Sequence, residues 1–373
     1  MVDTIVLLLD KEMFQIDAPE KFTPSAHWAL SENKKYNNNI YSRQNPTKKE
    51  LLSGIYKPRL TLAPRINLQG QRKIMLRIEL SLPKLLFGKN FEELQYKDRI
   101  PVITKLVNTL KQMGVITTPD IIASAPVSAI HYSKNIVLTD GSTPYHFINK
   151  IKQSNVKLSL DTNQTDYRNE GHSYKWHCNS YEVVFYDKIK YIKKTKTSNK
   201  RSLEKDSELQ QNLFGQLKKR GKLEILRIEI RLNKRQKIRQ LFKKLGIKAV
   251  LTFKKLFKPA ISKKVLLHYL DELESKRPIL LNYKPSNDKA FLVDLIFNNP
   301  DLGPKQVLQL YGLKHALDIM PPRELRLLFS TYSTRSWYRL MADVNKIKLP
   351  NTQNPFEAIR KHIIKFKPLR LKK

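Results

Sequence analysis

Two stretches decide how this chain is read: Tyr181-Glu182-Val183-Val184-Phe185-Tyr186-Asp187-Lys188-Ile189-Lys190-Tyr191 and Leu226-Arg227-Ile228-Glu229-Ile230-Arg231-Leu232. Both alternate apolar and polar residues, which is the period of a strand with one face on a core. In the second, Leu226, Ile228, Ile230 and Leu232 point one way and Arg227, Glu229 and Arg231 the other. Glu229 reads either as one end of surface ion pairs or as a carboxylate metal ligand, with the guanidiniums holding phosphate. In the first, read as a strand through Tyr191, Tyr186 shares a face with Lys188 and Lys190, while Val183, Phe185, Ile189 and Tyr191 form the core-like face. A tyrosine beside lysines suits phosphodiester cleavage, because an ammonium binds the phosphate and favours the phenolate. Tyrosine is also simply a good strand former.

Working outward, Leu76-Arg77-Ile78-Glu79-Leu80 echoes Leu226-Arg227-Ile228-Glu229-Ile230. Each copy precedes a basic segment ending in glycine, Lys84-Leu85-Leu86-Phe87-Gly88 and Leu241-Phe242-Lys243-Lys244-Leu245-Gly246. The echo is either chance likeness of two amphipathic strands or an internal duplication with equivalent strands near a sheet centre. Two runs, 58–62 and 73–80, make a hairpin around Gln69-Gly70-Gln71, and 98–112 has helical spacing. His131 lies on a strand within 118–140. Residues 172–192 hold two strand-like runs, 193–205 form a polar loop, and the helical pattern begins near 234. The predicted class is α+β: an antiparallel sheet with flanking helices over residues 1–235, then a mostly helical basic region over 236–373.

Composition narrows the partner. The chain carries 70 Lys+Arg against 33 Asp+Glu, a formal charge of +37 over 373 residues, and such an excess calls for a polyanion. With 40% hydrophobic residues it can still build a core. The single cysteine, Cys178, excludes an internal disulfide framework and fits a reducing cytoplasm. There is no apolar run of membrane-spanning length, and Met1–Asp10 reads as a buried strand rather than a leader. No phosphate-cradling Gly-Lys loop occurs: Gly221-Lys222 is followed by Leu223 and stands at the wrong distance from Gly215. Cys-x-x-Cys pairs and a His-hydrophobic-His triplet are absent too, so His172 and His177 lack partners for a zinc-finger layout.

The basic runs 188–201, 218–222, 234–248 and 360–373 have little compensating acid and read as phosphate contacts, naming Lys190, Lys193, Lys194, Lys234, Arg235 and Lys237 beside Arg227 and Arg231 of the second stretch. Within 234–248, Ile238, Leu241, Phe242 and Leu245 mark a helix with an apolar stripe and a basic back. Segment 304–341 suits a small helix-turn-helix-like unit.

At these residues the chain resembles the gene II/gene X replication initiators of filamentous phages and their plasmid relatives. Met1–Leu7 resembles that family's opening strand. Ile78–Gly88 is similar to its Glu-Ile-Lys-x-Ser-Pro-x-Lys-x-Leu-x-Gly segment. Val184–Lys188 is similar to its Tyr-x-Lys strand, Leu226–Arg231 to its Arg-Phe/Val-Glu strand, and Thr334–Arg339 to its late Trp-containing helix. The order holds over most of the chain.

The resemblance implies an endonuclease that nicks supercoiled origin DNA, becomes linked to the 5′ phosphate through tyrosine, leaves a 3′-OH primer and later rejoins the strand. Tyr186 matches the nucleophile, with Lys188 assisting. Glu229 matches the late carboxylate, for which a divalent-metal role, Mg²⁺ or Mn²⁺, is inferred. The implied partners are origin DNA, as supercoiled duplex and single strand, with host helicase and polymerase, in the cytoplasm of a bacterial cell and away from membrane. One departure stands out: Ala129-Ile130-His131 replaces the family's Arg-Ile-Asp, so His131 is either a substitute ligand or the mark of an altered site. The rival readings are a non-catalytic basic DNA- or RNA-binding protein and a degenerate initiator that binds without cutting.

Overall fold

The computed structural model describes residues 1–30, 41–47, 49–50, 53–66, 72–154, 161–162, 171–195 and 224–370. Its strands are β1 (Val2–Asp10), β2 (Gln15–Ile16), β3 (Ser42–Gln44), β4 (Arg59–Ile66), β5 (Arg72–Ser81), β6 (Val115–Ile116), β7 (Val127–Leu138), β8 (Asp161–Thr162), β9 (Ser173–Cys178), β10 (Tyr181–Asp187) and β11 (Glu224–Leu232). Nine of them form one sheet in the order β3-β4-β5-β1-β7-β11-β10-β9-β8, antiparallel throughout, and β2 pairs with β6 apart from it. The α+β class is as the residue pattern predicts: antiparallel sheet, flanking helices, helical C-terminal region.

The period-two pattern decides which face is buried. Ile130, Tyr132 and Ile136 of β7, with Leu226, Ile228, Ile230 and Leu232 of β11, turn toward helices Arg99–Gln112, Pro144–Lys152, Arg235–Lys244 and Pro259–Ser275. His131, Ser133 and Asn135 of β7, with Arg227, Glu229 and Arg231 of β11, alternate with these and turn to the opposite face.

The sheet divides at the β1–β7 seam into two topologically equivalent halves, β1-β5-β4-β3 and β7-β11-β10-β9. Leu76–Leu80 lies on β5 and Leu226–Ile230 on β11, the equivalent strands beside the central pair. Each is followed by a helix and a glycine in the left-handed region, Leu82–Phe87 with Gly88 (φ 72°) and Arg235–Lys244 with Gly246 (φ 63°). The sequence echo is therefore a repeated structural unit.

The apolar core under the sheet runs past residue 235. Helices Arg235–Lys244, Pro259–Ser275 and Glu357–Lys365 all contribute to it, through residues such as Leu241, Val265 and Ile359. A second core, from Leu280 to Ile347, holds Leu310, Leu313, Trp337 and Met341. Among the described residues no helix is long and apolar enough to cross a membrane.

Candidate active site

The face of the sheet opposite the core helices carries a cleft of about 500 Å³ that straddles the β1–β7 seam. Tyr186, His131, Glu229 and Arg231 line it from the second half, and Arg59 and Glu79 from the first. Register explains the convergence. Glu229 on β11 sits opposite Ser133 of β7 and Val184 of β10, while Tyr186 sits opposite Arg227. Side chains two apart on one strand then meet those of its neighbours on one face.

Glu229 is the hub. It is 4% exposed, accepts a hydrogen bond from Arg231 Nε at 2.9 Å, and accepts one from the Tyr186 hydroxyl at 3.3 Å. Arg227 Nε stands 3.6 Å from one of its oxygens and His131 Nδ1 3.6 Å from the other. Burial opposes its charge, but Arg231, His131 and Arg227 hold the carboxyl well below the usual range. Tyr186, 6% exposed, is the reverse: burial pushes its hydroxyl well above the ordinary phenol value, with Arg227 pulling the other way. In this arrangement the phenol is a protonated donor to an ionised carboxylate.

Arg227 does not reach out to a ligand. At 1% exposure it holds Asp3 (3.0 Å) and donates to Asn135 Oδ1 (3.1 Å) and the Asn90 carbonyl (3.2 Å). It anchors the site from beneath. Arg231 is more open; besides Glu229 it donates to Glu182 at 3.0 Å.

The first stretch departs from its expected form at Asp187. The strand ends there, and Asp187 Oδ1 accepts from the backbone amides of Ile189 and Lys190, both at 2.9 Å, starting the helix Lys188–Thr195. An aspartate that satisfies the first free amides of a helix is a strong start signal, and here it overrides alternation. Lys188 consequently leaves the expected strand alternation and is buried, donating to Asn90 Oδ1 at 2.7 Å. Lys190 contacts His172 instead. Tyr191, expected on the core side, lines the cleft with its ring 5.0 Å from that of Tyr186. Lys193 and Lys194, expected in the polar loop 193–205, lie in the same helix, their side chains outside the described residues, as are residues 196–223.

His131 Nε2 lies 3.3 Å from Asn233 Oδ1, so its two nitrogens face Asn233 and Glu229. His172 and His177 take no part in lining the cleft; His172 stands 3.8 Å from Asp187. Lys234 is exposed beyond β11, and Lys237 lies over the Tyr181 ring at 4.2 Å. The residues that the sequence pattern missed, Asp3, Asn135, Glu182 and Tyr191, reach the site only through strand register or the turn at Asp187.

A divalent cation at Glu229 would have His131 as its neighbouring donor, and Arg231 already occupies the oxygen nearest that histidine. Among the described residues no three His, Cys, Asp or Glu side chains are grouped to hold a metal. Two arginines against one histidine–carboxylate pair repel a second positive centre. The donor set as placed does not fit the ion that the resemblance implies. The first half repeats the pair Arg77–Glu79 at 2.7 Å, but Thr61, opposite Arg77, stands where the second half has Tyr186. Among the described residues, only the second half hydrogen-bonds this carboxylate to a phenol. No family model, curated protein or solved structure matches this chain.

Proposed function

We propose that the protein cleaves and rejoins a strand of origin DNA through a tyrosine of this cleft, as a rolling-circle replication initiator. The observation that carries the reading is the Tyr186 hydroxyl bonded to Glu229 on the floor of an open cleft, with Arg227 and Arg231 about the same carboxylate. The net charge of +37 and the collinear motifs of the gene II/gene X type support it.

In the proposed step the Tyr186 oxygen attacks phosphorus as its hydroxyl proton is given up toward Glu229, the P–O3′ bond breaks, and the 3′ oxygen takes up one proton in exchange and leaves as the primer hydroxyl. The 5′-phosphotyrosine keeps the ester for rejoining. In this reading Arg231, a third exposed, takes the phosphate's developing charge, and Arg227 lowers the cost of the phenolate from below. Lys188, held by Asn90, supports the turn that positions the cleft rather than touching substrate.

Incubating the protein with supercoiled plasmid carrying the neighbouring origin should give a covalent protein–DNA adduct. Tyr186→Phe should abolish it while leaving DNA binding within about twofold; an adduct that survives in Tyr186→Phe and vanishes in Tyr191→Phe moves the role to Tyr191. Parallel arms with Mg²⁺ and with EDTA read the cation requirement. Adduct in both follows from an arginine-held phosphate, and adduct with Mg²⁺ alone means that Arg231 yields Glu229 to the ion.

The burial of Tyr186 favours a second reading, an origin-binding protein that does not cut. Tight binding with no adduct under either arm would establish it.

A further inference from the structure

The helix Arg235–Lys244 buries Ile238, Leu241 and Phe242 against the core on the helix-covered side of the sheet, away from the cleft. Its next stripe, Arg235, Arg239 and Lys243, runs at four-residue spacing, so the three cations lie along one line of the helix surface. The chain then turns at Gly246 and returns as Ile247–Leu251, which closes a groove of about 390 Å³ over an apolar floor of Phe242, Ile247 and Leu251. Backbone bonds fix that return: Ile247 N donates to the Phe242 carbonyl at 2.8 Å and Val127 N to the Leu251 carbonyl at 2.9 Å. Lys248 adds a fourth cation to the wall.

No carboxylate lines this groove, and among the described residues none lies within ion-pair distance of Arg235, Arg239, Lys243 or Lys248. Arg235 Nε is buried with no hydrogen-bond partner. Burial, reinforced by the neighbouring Arg239, disfavours the Arg235 charge. Converging cations with an unspent buried donor are unfavourable in the free protein, and an anion in the groove would relieve both costs. Lys237 belongs elsewhere, over the Tyr181 ring.

We propose that this groove binds the sugar–phosphate backbone of DNA, as a second contact on the face of the sheet opposite the cleft. The inference rests on the reading of DNA as the partner, not on strand cleavage. A wall of cations suits successive phosphates, and the apolar floor with Val250, 66% exposed, suits the sugars between them.

The test is fluorescence anisotropy with a labelled mixed-sequence 20-mer, single-stranded and as duplex, in EDTA from 50 to 200 mM NaCl. The full-length triple variant Arg239→Gln, Lys243→Gln, Lys248→Gln changes only exposed side chains, and its fold is checked by circular dichroism and urea denaturation. The expected result is at least a tenfold loss of affinity at 50 mM salt, with the slope of log affinity against log salt reduced by about 2 to 3. Arg235→Gln should reproduce part of that loss. Unchanged affinity and slope in the folded triple variant for both DNA forms would overturn the proposal. Since no cleavage is read, a protein that never forms the covalent adduct but shows this loss leaves the groove assigned and removes the cleavage reading instead.

Discussion

Glu229 and Glu79 occupy equivalent positions of the two half-sheets, yet burial gives them different weight. Glu229 is enclosed with Arg227 at its side, whereas Glu79 and Arg77 keep about a third of their surfaces in water. Removing one partner of a buried pair leaves the other charge uncompensated, which costs about 3–5 kcal/mol. An exposed pair contributes less than about 1 kcal/mol. Urea denaturation should therefore show Glu229→Gln strongly destabilised and Glu79→Gln close to wild type. The Glu229 carboxyl titrates below its unfolded value in the folded chain, so its contribution is complete above about pH 4.3 and is lost as pH falls through the folded value. Wild type should lose more stability than Glu229→Gln between pH 6 and pH 3; parallel curves for the two would refute this account of the hub.

At the scale of elements, the turn at Asp187 is the decisive junction. Its carboxylate ends β10 and caps the following helix in one contact set, and this is what swings Tyr191 into the cleft beside Tyr186. Asp187→Ala should cost about 1–2 kcal/mol, the usual range for a lost N-cap, and should speed hydrogen exchange at the amides of Ile189 and Lys190. Unchanged exchange there would show that the helix holds without its cap. Gly114 is a second element-level constraint. It has φ +79°, and a Cβ there would meet the Ala18 Cβ at 2.4 Å, where the β2–β6 pair is tied to the preceding turn. Gly114→Ala should destabilise by about 2 kcal/mol, combining left-handed strain with the clash, as read from the urea midpoint.

Across the whole molecule, distant segments close one core. Phe356, Ile359 and Ile363 are fully buried under the sheet, beside residues contributed from the first strand onward. The tail beyond them is tied down as well: the Leu369 amide donates to Glu93 at 2.8 Å, Lys134 donates to the Lys367 carbonyl at 2.8 Å, and Arg370 pairs with Asp98. Phe356→Ala should cost about 3–5 kcal/mol and lower the stability of the sheet itself, measured by hydrogen exchange on β7. Protection lost only near residue 356 would mean that this helix is a separate appendage.

The linear pattern alone determined the strand character of β10 and β11, the face that each buries, and the antiparallel α+β class; that the repeated Leu-Arg-Ile-Glu run is a structural unit was decided by the sheet order. The first three follow from side-chain alternation and apolar spacing, which are local properties. Tyr186, Glu229 and His131 were legible as candidates for the same reason. That they meet in one cleft was decided by register between strands far apart in the chain, which no local period encodes. Burial turned Arg227 from an expected DNA contact into an anchor, and Asp187 took Lys188 away from the nucleophile's expected line. The groove of Arg235, Arg239, Lys243 and Lys248 was visible only as a charge run until the fold supplied its second wall. Charge is written in composition; whether a charge is spent inside the protein or left for a ligand depends on what the tertiary structure packs against it.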